Sequence, residues 1–489
     1  MTATALSRTY QATPSRLLPV AAFVIILIIF LANSGSLLFR DPDLLWHITV
    51  GHKILETRSL PWVDEFSHTF QGHTWIAKEW LSQILFAVVY DVGGWKGLAL
   101  LIGCAIALTF TLLFLVLEQQ MRVVPALIGS LFAYSLAAPH FLVRPHVLSF
   151  PLVVLWIAGL VRAAETRTAP SPILLALMIL WANLHGGFTL GLALIVPFAI
   201  EAVMAAAPTD RVGAAKRWGA FLGAAVLAAL VTPYGYRAIW ATYQVFGGNE
   251  ALKYIIEWQP LNFASDWYAG SLILVALFAG LLCGVRLPLI RCVIVIGMTY
   301  QALVHVRFVA LAAIVIPILI AGPLSRQFGY ISKAEPDPIL AVLQNIVGRP
   351  LLRLLAIGLA AAGISASALL PERRPPPEMA PAAAVDYLGA RAKEGKIYND
   401  YLFGGYLIFR GIPTFIDGRS DQLFGGGFIG ELYRTLDGPP REFRKLLDKH
   451  DIRFALVRPK TRDAYALDEG DGWRRLYADN AAILYERVR

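Results

Sequence analysis

The sequence has little charge and few cysteines. Charged side chains account for 16% of its 489 residues, whereas hydrophobic ones account for 57%. The three cysteines lie in or beside apolar runs, with no CxxC pair and no cysteine–histidine cluster at the spacing of a zinc finger. The pattern therefore indicates neither a disulfide framework nor a structural zinc site.

A basic groove or tail is also missing. The net charge is +9, but the lysines and arginines are scattered through short loops beside apolar runs. Orientation in a membrane explains such a distribution better than nucleic-acid binding does. We therefore expect a membrane as partner and no nucleic acid.

Apolar runs are what the chain has in abundance, each near the length of a helix that crosses a hydrocarbon core of about 30 Å. They predict a polytopic α-helical membrane protein with a membrane domain over 1–370 and a first outer loop over 40–94. The shorter segment 80–92 ends on Asp91, so we predict a helix that lies in or dips into the membrane interface. The approximate bounds of the eleven predicted spans are 19–33, 95–117, 123–138, 147–161, 171–182, 187–206, 218–232, 268–285, 288–303, 307–322 and 351–370.

The positive-inside rule supports this topology. With the N-terminus in the cytoplasm, all nine histidines fall on the outer side. The first run also has the charge and length of a signal peptide, but the spans that follow favour an uncleaved helix. Under either interpretation residue 41 lies outside the cytoplasm. Every predicted inner loop is basic, and the residues concerned include Arg122, Arg162, Arg167, Arg211, Arg286, Arg291 and Arg326.

After the last span comes a proline-rich linker, 371–384, which cannot hold a regular helix. Residues 385–489 are predicted to form a small extracytoplasmic α/β domain. Its strand signals are "KIYNDYL", "TFIDG", "RFALVRP", "RRLYAD" and "AAILYER", and 440–450 has a helical pattern. Asp417 and Arg419 follow a predicted strand, where binding residues are common, although an internal ion pair is the favoured interpretation.

The first outer loop carries the strongest chemical signal. Asp41 and Asp43 stand where the first span leaves the membrane, close enough to the interface for partial desolvation. Desolvation raises the proton affinity of a carboxylate, which suits a general base or a metal ligand. The alternative is structural, with Asp43 capping the helix that begins at Leu44 and Trp46 anchoring it at the interface.

Polar side chains also stand at the outer ends of several other spans. A guanidinium such as Arg144 or Arg307 suits bidentate phosphate binding, and Asn183 with His185 can orient a sugar hydroxyl or a phosphate oxygen. For each residue alone, snorkelling or an interhelical hydrogen bond is the simpler interpretation. Because so many helix ends on one side carry them, we predict these substrate-binding residues: His47, Glu79, Arg144, His146, Asn183, His185, Glu257, His305 and Arg307.

The motifs "DPDLLWHITVGHKIL", "RPH", "WANLHGG", "GGYLIF" and "FIDGRSD", together with the long outer loop after the first span, resemble the GT-C superfamily of membrane glycosyltransferases. That superfamily includes protein O-mannosyltransferases, oligosaccharyltransferase catalytic subunits, and transferases that modify lipopolysaccharide with aminoarabinose or galacturonic acid. The resemblance covers most of the chain.

The resemblance implies transfer of a sugar from a polyprenyl-phosphate donor, with inversion, on the outer face of the bacterial cytoplasmic membrane. The acceptor would be a lipid, a glycan or a protein, and Asp41 or Asp43 would take its proton. Many relatives carry a second acid after the third span, where this chain has Arg144-Pro145-His146. A two-carboxylate metal site would therefore need Glu79 or histidines as substitutes, and dependence on a divalent metal stays open.

Two other interpretations remain. A transporter also has polar groups within its membrane domain, but here they gather at one face instead of the midplane, and no inverted repeat is visible. In the second interpretation, the protein is a non-catalytic or partner-dependent member of the same superfamily with a role in envelope assembly. It stays open because the second acid that many relatives carry after the third span is missing here.

Overall fold

The computed structural model describes residues 17–33, 36–246, 250–333, 371–425, 427–469 and 472–488, with a few single positions between 337 and 361. Most of the first 330 residues are helical, as the apolar runs predict. The helices of this part are α1 Leu17–Asn33, α2 Leu44–Thr57, α3 Trp80–Glu118, α4 Val123–Ala137, α5 Pro145–Thr166, α6 Ile173–Leu184, α7 Phe188–Ala205, α8 Arg211–Ala229, α9 Tyr236–Phe246, α10 Trp267–Leu282, α11 Leu289–Val304 and α12 Val309–Gln327.

Helix α3 is two helices joined at a break. Gly94 has φ +56° and ψ −148°, a conformation open to glycine because it lacks a Cβ atom. The segment before the break matches the short helix predicted over 80–92, and the segment after it matches the second predicted span. The location of the first segment at a membrane interface stays a prediction.

The number of spans is settled only in part. Five described helices are long and apolar enough to cross a membrane, and four shorter ones are apolar. Helix α8, predicted as a span over 218–232, belongs to neither group, and the predicted span 351–370 lies outside the described residues. The count of eleven therefore stays a prediction.

The described residues just before the last predicted span lie at one end of the helix bundle, and those just after it lie at the other end. Ile331 accepts a hydrogen bond from the backbone of Arg122, just past the end of α3, at 2.8 Å. Glu372 instead lies beside Gly94, at the break in the same helix. The stretch from Gly94 to Glu118 is about 36 Å long at 1.5 Å per residue. The tail therefore begins at the end of the bundle from which the first outer loop extends.

Arg291, which the topology argument assigns to a basic inner loop, lies inside α11 and is almost fully buried. Its Nε donates to both carboxylate oxygens of Glu201 on α7, at 3.0 and 2.8 Å, and its Nη1 donates to the carbonyl of Leu319 on α12. A buried guanidinium needs charged and polar partners, and Glu201 and the Leu319 carbonyl supply them inside the bundle. Arg291 joins three helices and is not a loop cation.

The tail is an α/β domain, as predicted. Its four strands form one sheet in the order β1-β2-β4-β3, with β1 parallel to β2 and the other pairs antiparallel. The strand predicted at "TFIDG" is wrong, because this segment makes one isolated bridge, between Thr414 and Ser67 of the first outer loop. The elements of the tail are α13 Ala382–Leu388, β1 Lys396–Asn399, α14 Gly404–Phe409, α15 Phe428–Asp437, α16 Pro440–Lys449, β2 Ile452–Val457, α17 Arg462–Asp468, β3 Trp473–Ala478 and β4 Ile483–Arg487.

The tail packs closely on the first outer loop. A Cβ atom added to Gly405 of α14 would lie 1.9 Å from the carbonyl oxygen of Pro42, so only glycine permits this approach. Arg419 forms the predicted ion pair with Asp417, at 2.7 Å, and also binds Asp64 of the loop, at 2.5 Å. All three side chains are fully buried. The tail and the loop therefore form one unit on top of the helices.

Candidate functional site

A cavity of about 260 Å³ lies between the first outer loop, the helix ends on that side and the tail. Eight of the eleven predicted site residues line it, although they come from distant parts of the chain. The predicted residues that reach the cavity are Asp43, His47, Glu79, Arg144, His146, His185, Glu257 and Arg307.

Arg144, which precedes α5, binds three carboxylates at one side of this cavity. Its Nε contacts Asp41, its Nη2 contacts Asp43, and its Nη1 contacts Glu257 from the loop after α9. The aspartates are further held by hydrogen bonds, because Asp41 accepts from the backbone of Asp43 at 2.9 Å and Asp43 accepts from the indole of Trp46 at 3.1 Å. We call these four residues, Asp41, Asp43, Arg144 and Glu257, the arginine cluster.

The alternative role for the first loop, in which Asp43 caps α2 and Trp46 is an interfacial anchor, does not match the contacts of these two residues. Asp43 precedes α2, but its side chain makes no capping hydrogen bond. Trp46 is 7% exposed and packs edge-on against Trp75 instead of pointing out as an anchor. Asp41 is buried and does not line the cavity.

The arginine cluster contains three acids and one cation. The pKa values of the three acids therefore decide which of them binds a proton most tightly. Burial raises the pKa of Asp41 to about 8 and that of Asp43 to about 6, in both cases against the attraction of Arg144. Burial acts in the same direction on Glu257, but Arg144 and Arg307 outweigh it and hold its pKa at about 2. Oδ2 of Asp41 is buried without an aligned hydrogen bond. Burial therefore gives Asp41 the highest proton affinity among the three carboxylates of the cluster.

Glu79 forms a second centre in the cavity. Its Oε2 lies 3.8 Å from Nε2 of His47, and its Oε1 lies 3.5 Å from Nε2 of His185. The other ring nitrogens are also held, since Nδ1 of His185 accepts from the backbone N–H of Gly187 at 3.0 Å and Nδ1 of His47 lies 3.2 Å from the amide nitrogen of Gln83. We call Glu79, His47 and His185 the Glu79 centre.

Two cations face the cavity outside the arginine cluster. Arg307 lies over the ring of Trp258, with its guanidinium carbon 4.4 Å from the ring centroid. Within the part of the chain that the structure describes, no carboxylate lies within ion-pair distance of Arg307. Lys78 is paired with Asp421 of the tail. Arg307 is thus a cation that a bound anion can reach without displacing a partner.

Two of the predicted binding residues, Asn183 and His305, do not line the cavity and make hydrogen bonds to other parts of the chain. Asn183 accepts from the indole of Trp80 at 2.8 Å and donates to the carbonyl of Val231 at 2.9 Å. Nδ1 of His305 lies 2.7 Å from the carbonyl oxygen of Trp258. For both residues the simpler interpretation, a structural hydrogen bond, describes the contacts found.

The contribution of the tail to the cavity was not predicted from the sequence. Tyr401, Gly418, Asp421 and Gln422 line the cavity beside the first loop. A Cβ atom on Gly418 would lie 1.6 Å from Oδ1 of Asp43, so this glycine admits the aspartate. The sequence signal for this contribution is the run of polar residues around a glycine in "FIDGRSD". From the sequence alone, these residues predict contacts within the tail and not with the first outer loop.

The residues of this site do not fit a metal ion. Within the described residues no group of three or more histidine, cysteine, aspartate and glutamate side chains has the arrangement that holds one. The three carboxylates that converge at the arginine cluster share the Arg144 guanidinium as their cation.

Comparisons with known proteins identify the fold. The archaeal oligosaccharyltransferase AglB from Archaeoglobus fulgidus, solved with an inhibitory peptide and a dolichol-phosphate, matches with a TM-score of 0.57 and 12% identity over 96% of this chain and 74% of that chain. The apo form of the Archaeoglobus fulgidus oligosaccharyltransferase matches with a TM-score of 0.57 and 10% identity over 97% and 74%. ArnT from Cupriavidus metallidurans, bound to undecaprenyl phosphate, gives 0.48 and 15% over 96% and 98%.

No model of a protein family matches the sequence, and no curated protein does. The likeness to the two oligosaccharyltransferase structures shows that the chain has the GT-C fold that its motifs predict, over nearly its whole length.

Proposed function

We propose that the protein is an inverting glycosyltransferase that moves a sugar from a polyprenyl-phosphate donor to an acceptor at the outer face of a membrane. One observation carries the proposal. The cavity holds the guanidinium of Arg307, which has no ion-pair partner among the residues that the structure describes, in the same space as the carboxylates of Asp43 and Glu79. A displacement at a sugar needs such a cation for the leaving phosphate and such a carboxylate for the acceptor's proton.

The donor's phosphate is best assigned to Arg307. The sequence pointed to Arg144 as a phosphate ligand, but the three carboxylates around Arg144 already use its guanidinium nitrogens. Arg307 has no such partner among the described residues, and its planar fork can bind two phosphate oxygens. Lys78 can join it if the bound phosphate draws it away from Asp421. The AglB structure with a dolichol-phosphate supports a lipid phosphate as the ligand of this fold.

The chemistry proposed is a single displacement. The acceptor's nucleophilic atom bonds to the anomeric carbon and loses its proton to a carboxylate, while the bond from that carbon to the phosphate oxygen breaks. Attack from the face opposite the phosphate inverts the configuration. Among the carboxylates that line the cavity, the candidates for taking the proton are Asp43, the first-loop acid that reaches the cavity, and Glu79.

The outer face follows from the topology predicted by the positive-inside rule. The cavity, the first outer loop and the tail all lie at the end of the bundle opposite the basic turn at Arg122. The donor's lipid chain would then remain among the helices while its sugar enters the cavity. This arrangement requires the C-terminal domain to be extracytoplasmic.

A transfer assay tests the proposal. The purified protein in liposomes receives polyprenyl-phosphate hexoses and pentoses that carry a radiolabelled sugar, with bacterial envelope vesicles as acceptor. We expect label in the vesicle glycans and release of polyprenyl phosphate in equal amounts.

Arg307→Ala should weaken donor binding and transfer, while Arg237→Ala should change neither. Arg237 is the matched control because it also lies against a tryptophan ring, that of Trp62, but outside the cavity. Donor binding without transfer from any sugar would instead indicate a non-catalytic relative, and transfer unaffected by Arg307→Ala would remove the proposed phosphate site.

A further inference from the structure

We propose that Glu79, which lies between the imidazoles of His47 and His185, is the base that takes the acceptor's proton. This inference rests on the proposed function and names the residue that performs its proton transfer. It departs from the assignment of the base to Asp41 or Asp43.

The first-loop aspartates are poorly placed for this role. Asp41 does not line the cavity, and burial raises its pKa to about 8. Asp43 reaches the cavity, but its Oδ2 contacts Arg144 and its Oδ1 is enclosed by the indole of Trp46 and the backbone of Gly418. A carboxylate paired with a guanidinium is a weak base, because accepting a proton would end that ion pair.

Glu79 has no such restraint. Its side chain is 14% exposed and lines the cavity, and its oxygens lie 3.8 and 3.5 Å from the Nε2 atoms of the two imidazoles. It directly precedes α3, yet its carboxylate makes no hydrogen bond to that helix's N–H groups. Its lone pairs therefore remain available to a hydroxyl or amine in the cavity.

The hydrogen bonds of the two imidazoles fix which way their protons point. A backbone N–H can only donate, so Nδ1 of His185 accepts from Gly187 and the ring's own proton sits on Nε2, the nitrogen that lies 3.5 Å from Oε1 of Glu79. The amide nitrogen of Gln83 at Nδ1 of His47 gives that ring the same form. The Nε2–H groups of both rings thus lie on the side of Glu79, 3.8 and 3.5 Å from its oxygens, and neither ring presents a free Nε2 lone pair for a metal ion.

The charges around Glu79 leave it able to exchange a proton near neutral pH. Burial raises its pKa to about 7, and Lys78 opposes the rise while Asp421 adds to it. Burial also lowers the pKa of both His47 and His185, so the imidazoles stay neutral. A base whose pKa lies near the working pH is the most effective one. The charged and titratable groups that face Glu79 are His47, Lys78, Arg144, His185, Arg307 and Asp421.

The test combines rates, a pH profile and donor binding, in liposomes that contain the full-length protein. Glu79→Gln keeps the side chain's shape, and loss of a general base lowers the transfer rate by about 10²- to 10⁴-fold. Binding of polyprenyl phosphate should remain close to that of the wild type, which shows that the variant is folded. Glu65→Gln is the matched control, an exposed glutamate of the same outer loop that should transfer normally.

The pH profile separates Glu79 from Asp43. The wild-type rate should fall as the pH drops through about 7, where Glu79 gains a proton. Asp43→Asn should lower the rate by disturbing the arginine cluster, yet keep this decline at the same pH. A decline that disappears in Asp43→Asn, or a Glu79→Gln variant as fast as wild type, overturns the assignment to Glu79 and leaves the proposed function intact. Absence of transfer by the wild-type protein overturns both.

Discussion

The buried arginine at the junction between the tail and the first outer loop makes a quantitative prediction. Arg419 donates from Nε and Nη2 to Asp417, at 2.8 and 2.7 Å, and from Nη1 to Asp64, at 2.5 Å. Its side chain also lies over the rings of Phe66 and Trp75. Arg419→Met preserves much of the volume and the ring contacts but leaves two buried carboxylates without their cation.

The size of the effect follows from that loss. Breaking a buried ion pair by removing one partner costs about 3–5 kcal/mol. Since about 1.4 kcal/mol is a factor of ten in an equilibrium constant, the fraction of molecules with the tail detached should rise by roughly 10²- to 10⁴-fold. An exposed pair behaves differently. Arg462→Met removes the pair with Asp437, whose side chains are 66% and 65% exposed, and should cost at most about 1 kcal/mol.

Limited proteolysis in detergent measures this population, because cleavage follows the open fraction when reclosing is fast. Cleavage of the tail should be much faster in Arg419→Met than in Arg462→Met. Adding Asp64→Asn and Asp417→Asn to Arg419→Met should recover part of the resistance, since no buried charge is then left unpaired. If Arg419→Met is cleaved no faster than Arg462→Met, the ion pair does not hold the tail on the loop, and the reasoning is wrong.

Three further predictions concern packing, protonation and topology. Gly405→Ala should detach the tail in the same proteolysis assay, because its Cβ atom would overlap the carbonyl of Pro42, whereas Gly93→Ala, with open space around it, should not. The pKa of Glu79 is 4.5 in its ordinary range and about 7 in the folded protein, so the folded state binds a proton that the unfolded state has already lost. The free energy of unfolding should therefore fall as the pH rises from about 4.5 through 7. In thermal unfolding, Glu79→Gln should show a smaller fall over the same pH range. A C-terminal alkaline phosphatase fusion should be active and a green fluorescent protein fusion dark, and the opposite result would overturn the shared outer face.

Much of the site could be predicted because helix ends are visible in the sequence. Arg144, His185 and Arg307 each stand at the edge of an apolar run, and the ends of neighbouring helices on one side of a membrane must lie near one another. Their pairing could not be predicted. Whether Arg144 faces a phosphate or three carboxylates depends on the loop that brings Glu257, which is a long-range contact.

The tail shows the same limit. The strand signal of "TFIDG" is real in composition, but contacts with the first outer loop override it at Thr414. Asn183 and His305 have the chemistry of binding residues, and only their positions beside a tryptophan indole and a backbone carbonyl reveal a structural role. Composition therefore indicates what a side chain can do, while the packed partner decides what it does.

A structure of the protein with a non-transferable polyprenyl-phosphate sugar would test the central claim most directly, that this cavity holds a lipid-linked sugar. We expect the phosphate to lie within hydrogen-bonding distance of the Arg307 guanidinium. The anomeric carbon should lie on the side of the cavity that faces Glu79. A phosphate bound away from Arg307, or a sugar that lies outside the cavity, would contradict it.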